Sequence, residues 1–350
     1  MNANKQKLDH VLRVWFPLDE WSISSGSSGM NNTTQYVEVN KKSYVLRVYE
    51  THRDEAKVRY EHAVLLGLAK LELPFSTPVP VLAGNGESFM RMEAEDGQER
   101  GKLACLFHYI AGERPDLEQL GQIQSLGRTT AQLALALQQL ELTLEPEYPT
   151  YYQLGLAESA TLFAEIIQFC LEPAEPFWNW RGELGRLAEL LNLFTAEAPK
   201  LQKLPHQLIH GDLNASNSLI GANQEVAAIL DFEFITMDLR VMEIAVCLAD
   251  AIAEEAVSEQ VTWDKIEAYI RGYGSAAKLS VEEVAVLPLL IQLRRLDVFV
   301  HFIGRYKNGI DSVSIVEEMI RSAIAVDSWL SAHEARLLGL GREYLLIKMP

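Results

Sequence analysis

The chain has 350 residues, 48% of them hydrophobic, and a formal charge of −17. That size supports a sizeable core in one large domain or two lobes, and the acidic balance argues against nucleic acid or an anionic membrane as partner. Three scattered cysteines, Cys105, Cys170 and Cys247, form no metal pattern and point to a reducing cytoplasm. No apolar run reaches the length of a membrane helix, and the first residues lack a signal-peptide core.

In chain order, residues 5 to 16 carry a short helical pattern. Small residues from Ser24 to Asn32 then precede a strand-like stretch at 36 to 39. A Gly/Ser turn between strands can bring backbone N–H groups against phosphate oxygens, or can be a plain hairpin tip. Gly26 and Gly29 fall short of a full Gly-x-Gly-x-x-Gly spacing. Residues 44 to 49 alternate as a strand, and a helix is expected from about 54 to 70. A strand pair around Gly84 and Gly86 follows, then an apolar strand from 103 to 110 that stops at Gly112.

Beyond Gly112 the pattern turns helical. Residues 116 to 141 have helical spacing, and 150 to 200 predict two or more helices interrupted by Pro173 and Pro176. The aromatic run at 177 to 180 is assigned to core. From 241 to 340 nearly everything reads as helix, with Gly272 and Gly274 marking a helix end and Ser280 and Glu283 a capping box.

One stretch departs from this pattern of packing elements. From 208 to 232 the chain reads Leu-Ile-His-Gly-Asp-Leu-Asn-Ala-Ser-Asn-Ser-Leu-Ile, a turn at Gly221, and Ile-Leu-Asp-Phe. Short apolar runs on both sides read as buried strands, so Asp212, Asn217 and Asp231 fall at element ends. An ordinary polar loop with capping Asp and Asn is the bland alternative. A carboxylate to take a hydroxyl proton, an amide oxygen and a second carboxylate are what phosphoryl transfer requires.

These motifs resemble those of the aminoglycoside phosphotransferase and choline kinase-like family, which has the protein-kinase fold. The Leu-Asp-Phe-Glu-Phe run and the segment from Asp238 to Glu243 look most like its type II homoserine kinase branch. The resemblance implies an α+β, two-lobed protein-kinase-like fold, with a small β-rich N-lobe over residues 1–107 and a large, mostly helical C-lobe over 108–350. It implies Asp212 as catalytic base, Asn217 and Asp231 as Mg²⁺ ligands, and His210 and Glu243 as supports of the loop. ATP would be held by Ser28, Gly29, Met30 and Asn31 of the small-residue turn. Arg47 stands in the phosphate-binding lysine's place and is expected to pair with Glu61. Backbone groups of Leu106 and His108 would meet the adenine edge.

A protein substrate is disfavoured. Asn214 stands where protein kinases carry a lysine, and the segment after Asp231 reaches an apolar helix within about a dozen residues. The expected partner is a small-molecule hydroxyl acceptor, homoserine-like or an aminoglycoside, for a cytoplasmic monomer or homodimer. Glu233 and Asp238 are assigned to an ammonium group on that acceptor and Arg295 to a carboxylate. The alternatives for these residues are a helix cap and surface ion pairs. A degenerate kinase fold that only binds nucleotide is the competing reading.

Overall fold

The computed structural model describes residues 2–26, 32–50, 54–94, 101–154, 160–253 and 258–347. The chain forms two compact units. The first comprises Met1–Gly112, Leu140–Glu147 and Ala227–Glu233; the second comprises Glu113–Gln139, Tyr148–Val226 and Phe234–Pro350. No helix of the described residues is long and apolar enough to cross a membrane.

The first unit is built on an antiparallel sheet of β1 (Trp21–Ser25), β2 (Asn32–Val39), β3 (Lys42–Tyr49), β4 (Phe89–Arg91) and β5 (Leu103–His108). Its order is β1-β2-β3-β5-β4. β2 and β3 are joined by a two-residue turn in which Asn40 and Lys41 have φ of 49° and 65°. Positive φ at both central residues is what a tight hairpin needs. Alternation then sorts the faces of β3. Tyr44, Leu46 and Val48 join Val37, Val39, Ala104 and Leu106 in one apolar cluster. Val11, Leu12, Trp15 and Phe16, at and after the end of α1 (Asn2–Leu12), close it. The period of two sends Arg47 to the other face of the sheet. α2 (Glu55–Leu68) is capped by Asp54, whose carboxylate accepts from Ala56 N at 2.9 Å, and it buries Val58, Glu61, Leu65 and Leu68.

The second unit is mainly helical: α3 (Leu120–Leu137), α4 (Ala160–Leu171), α5 (Arg181–Leu201), α6 (Met242–Ala253), α7 (Glu259–Ala276), α8 (Val281–Lys307) and α9 (Val313–Tyr344). Between α5 and α6 run four short strands, β6 (His206–Ile209), β7 (Ser218–Ile220), β8 (Val226–Ile229) and β9 (Thr236–Leu239). β6 pairs antiparallel with β9, setting Ile209 opposite Thr236. The chain crosses into the first unit within β8 and returns after Glu233. The expected capping box is present at the start of α8: Ser280 accepts from Glu283 N, and the Glu283 carboxylate accepts from Ser280 N at 2.8 Å.

Two expectations are corrected here. Gly272 and Gly274 do not end a helix, because α7 continues to Ala276. They serve close approach instead. A Cβ on Gly272 would run into the Gln124 carbonyl of α3, and one on Gly274 into the Tyr344 carbonyl of α9. Gly127 of α3 faces the Tyr269 carbonyl of α7 in the same way. The aromatic run is also split: Phe177 is core, packed on Phe169 and Tyr306, while Trp178 is 56% exposed.

The helix crossing yields a paired test. Gly127→Ala forces apart two rigid backbones and should destabilise by about 3 kcal/mol or abolish folding. Gly185→Ala, in α5 with no atom within 4 Å of the added methyl, should stabilise by roughly 0.5–1 kcal/mol. Denaturant unfolding of the two variants measures both, and equal effects would contradict the close-packed crossing.

Candidate active site

In the first unit the polar face of β3 carries Arg47. Its Nη1 lies 3.3 Å from Glu61 Oε1, and its Nη2 lies 3.1 Å from Asp231 Oδ1. The second contact is a charge pairing without hydrogen-bond alignment, for that buried oxygen has no hydrogen-bond partner among the described residues. The Phe107 and Tyr49 rings flank the guanidinium at 5.7 and 5.9 Å. Tyr49 donates its hydroxyl to Glu61 Oε2 at 2.7 Å, so both oxygens of Glu61 are engaged. Burial opposes the charge on Arg47, but the Asp231 and Glu61 carboxylates outweigh it and raise its pKa well above the ordinary value. Burial pushes the Glu61 carboxyl up to about 7, against the pull of Arg47 and Tyr49. Asp231 has φ of 64°, a costly conformation for a residue with a Cβ and one typical of functional sites.

The neighbouring Glu233 is 7% exposed and accepts from Asn32 Nδ2 at 2.9 Å. It is therefore committed to the first unit rather than open to an acceptor's ammonium group. Ser28, Gly29, Met30 and Asn31 lie outside the described residues. Two of the backbone groups at the expected adenine edge are already bonded: Val81 N donates to Leu106 O at 2.7 Å, and His108 N donates to Val79 O at 3.2 Å. On its other edge β5 pairs with β3.

In the second unit β6 delivers His210, Gly211 and Asp212. Gly211 has φ of 80°, and a Cβ there would sit 2.7 Å from Phe234 O, so only glycine fits the turn. His210 is fully buried, and its Nδ1 accepts from Asp212 N at 3.2 Å. Glu243, in the first turn of α6, accepts from His210 N at 2.6 Å. Both contacts tie the loop to its surroundings. Asn217 donates Nδ2 to Asp212 O at 2.9 Å and to Asp212 Oδ2 at 3.2 Å. Its nitrogen is thereby fixed, which turns the amide oxygen away from Asp212.

Two residues that sequence reasoning missed complete this loop. Arg294 of α8 donates Nη2 to Asp212 Oδ1 at 2.5 Å and Nη1 to Tyr151 OH at 3.2 Å. Tyr151 donates its hydroxyl to Gly211 O. The Arg294 side chain is 15% exposed and set on Asp212. The expected acceptor role of Asp238 fails for a related reason. It is fully buried, and its oxygens accept from Tyr151 N at 2.5 Å and Leu239 N at 2.6 Å. Arg295 points elsewhere, pairing with Asp250 in a cavity of about 780 Å³ that Asn214, Lys265 and Tyr269 also line. Asp212 itself is not part of that lining.

Each unit carries an oxygen of the kind a hard divalent cation takes. In the first, Asp231 offers a buried oxygen that makes no hydrogen bond among the described residues, and in the second Asn217 keeps an amide oxygen. No cluster of three His, Cys, Asp or Glu that could hold a metal exists among the described residues.

Burial also predicts a pH response. The Glu243 carboxyl, ordinarily near 4.5, is pushed up to about 7 by burial, with the His210 and Gly211 N–H groups opposing. Its Oε1 is buried without a partner among the described residues. A raised carboxyl binds its proton more tightly folded than unfolded, so its contribution is complete below pH 4.5 and is lost as pH rises through about 7. Gln cannot titrate, so in Glu243→Gln the melting temperature should fall less steeply than wild type between about pH 5 and 8. Parallel profiles would contradict this assignment.

Comparison with known proteins places this geometry. The phosphotransferase enzyme family matches residues 22–279. A homoserine kinase of Rhizobium etli is 24% identical over 282 residues, 79% of either chain. One of Afipia carboxidovorans is 26% identical over 272 residues, 78% of this chain and 76% of that one. Among solved structures, amicoumacin kinase in complex with AMP-PNP, Ca²⁺ and Ami superposes with a TM-score of 0.70 at 13% identity, covering 93% of both chains. The microcompartment-associated aminopropanol kinase gives 0.66 at 17% identity, covering 96% of this chain and 98% of that one. With its small antiparallel-sheet unit and its mostly helical unit, the chain has the protein-kinase-like fold of such phosphotransferases and is a small-molecule kinase belonging to the phosphotransferase enzyme family.

Proposed function

We propose that this kinase transfers the γ-phosphoryl group of ATP to the hydroxyl of an amino alcohol that carries a carboxylate, homoserine being the acceptor named for its curated relatives. The observation that carries the reading is Asp212. It projects from a turn that only glycine can make, braced by His210 and Glu243, with its carboxylate fixed through Asn217. A carboxylate so placed can take the acceptor's proton as the hydroxyl oxygen bonds to phosphorus and the bond to the ADP oxygen breaks. Arg47 has the charge and fork geometry for phosphate oxygens, and Glu61 and Tyr49 hold it in place. Mg²⁺ on Asp231 and Asn217 would neutralise charge on the phosphates. The adenine edge is assigned to backbone from the Tyr109 carbonyl onward, past the groups that pair with Val79 and Val81.

General-base assistance is typically worth about 10²–10⁴-fold. Asp212→Asn should therefore lower kcat by that factor, about 3–5 kcal/mol of barrier, while the affinity for MgATP stays unchanged. Turnover close to wild type on the same acceptor would exclude Asp212 as base. The metal assignment is read separately by thermal shift. MgATP should stabilise wild type more than metal-free ATP does, and Asp231→Ala should lose that difference. A shift that is the same with and without Mg²⁺ in wild type would remove Asp231 and Asn217 as ligands.

A further inference from the structure

The base is already occupied. Asp212 Oδ1 accepts from Arg294 Nη2 at 2.5 Å and Oδ2 accepts from Asn217 Nδ2 at 3.2 Å. The Asn217 contact is part of the loop's own architecture, five residues along. The Arg294 contact comes from α8, 82 positions away, and it covers an oxygen that a hydroxyl would need. A guanidinium buried to this degree needs anionic partners, and its surroundings are a set of acids: Asp212, Asp297 at 3.5 Å, and Asp250 nearby.

The fork is also half used. The Nε and Nη2 hydrogens of an arginine lie along one edge, spaced to receive both oxygens of a carboxylate. In Arg294, Nη2 is bonded to Asp212, whereas Nε is buried with no partner among the described residues. A buried donor without an acceptor is unfavourable and points to a ligand atom that would satisfy it. Nη1 remains anchored on Tyr151 OH at 3.2 Å, so the Nε–Nη2 edge can change partner without the side chain leaving its place.

We propose that Arg294 is a specificity-determining residue that reads the acceptor's carboxylate. An incoming carboxylate takes the Nε–Nη2 edge, satisfies the vacant Nε, and draws the guanidinium off Asp212 Oδ1. The freed oxygen then meets the acceptor hydroxyl. An acceptor without an anionic group leaves Arg294 on the base, so discrimination appears in turnover as well as in binding. This inference rests on the proposed kinase reaction and adds the group by which the acceptor is chosen. It also moves the carboxylate assignment from Arg295, which is engaged by Asp250, to its neighbour one position earlier on the helix.

The test compares homoserine with homoserinamide, which keeps the hydroxyl and the amine and lacks the anion. Acceptor-dependent ADP formation gives kcat and KM for wild type, Arg294→Gln and Arg294→Lys, and Asp212→Asn sets the background. Wild type should favour homoserine on the order of a hundredfold in kcat/KM, as loss of one partner of a buried charge pair implies. Part of that preference should lie in kcat. Arg294→Gln should cut the ratio to roughly tenfold or less, chiefly by losing homoserine turnover. Arg294→Lys, which keeps the charge and loses the fork, should fall between the two and covers the case in which the Gln variant does not fold. Equal kcat/KM for both acceptors in wild type would overturn the proposal, and so would an unchanged ratio in a folded variant. If wild type forms no ADP above the Asp212→Asn background with either acceptor, the kinase reaction proposed for homoserine fails first and the inference falls with it.

Discussion

A guanidinium held between two carboxylates sets the terms for the first unit. Arg47 lies on the polar face of a strand whose other face is core, and burial makes its charge tolerable only because Glu61 and Asp231 are close. Each partner arrives by a different route: Glu61 from the buried face of α2, Asp231 from the end of β8. Tyr49, two residues after Arg47 on the same strand, fixes the other oxygen of Glu61. Removing any one of these groups leaves the others as buried charges or donors without partners. The arrangement therefore fixes strand, helix and loop together, and the proposed phosphate contact would exchange one of Arg47's carboxylate partners for phosphate oxygens.

The second unit follows a similar logic with different parts. A positive-φ turn that only glycine fits, the Glu243 carboxyl that accepts from His210 N and the buried His210 ring position Asp212. The base role proposed for Asp212 would gain from that placement, since small misplacement is costly in rate. Arg294 and Tyr151 add a second constraint from outside the loop. Here the constraint falls on a carboxylate oxygen of Asp212, the one that the proposed reaction would bring to the acceptor hydroxyl.

Much of this was legible in the sequence where the signal is local. The His-Gly-Asp loop with Asn217, the strand that carries Arg47, the helix that carries Glu61 and the Ser280–Glu283 capping box all depend on residues a few positions apart. The failures share a cause in long-range packing. Nothing near Asp238 announces that Tyr151, 87 positions away, will bury it. Arg294 and Arg295 are adjacent and chemically alike, and only the rotation of α8 decides which one faces Asp212. Gly272 and Gly274 read as helix breakers because their neighbours in α3 and α9 are invisible locally. The bonds from residues 79–81 to the Leu106 carbonyl and the His108 N–H were likewise beyond any local pattern.

The most direct measurement of the central claim is ³¹P NMR of the protein with MgATP and homoserine. The account predicts that the γ-phosphate signal of ATP is replaced one for one by a phosphomonoester on the homoserine hydroxyl, with ADP as the other product. Persistence of the ATP signals, or conversion of the γ-phosphate to inorganic phosphate alone, would contradict it.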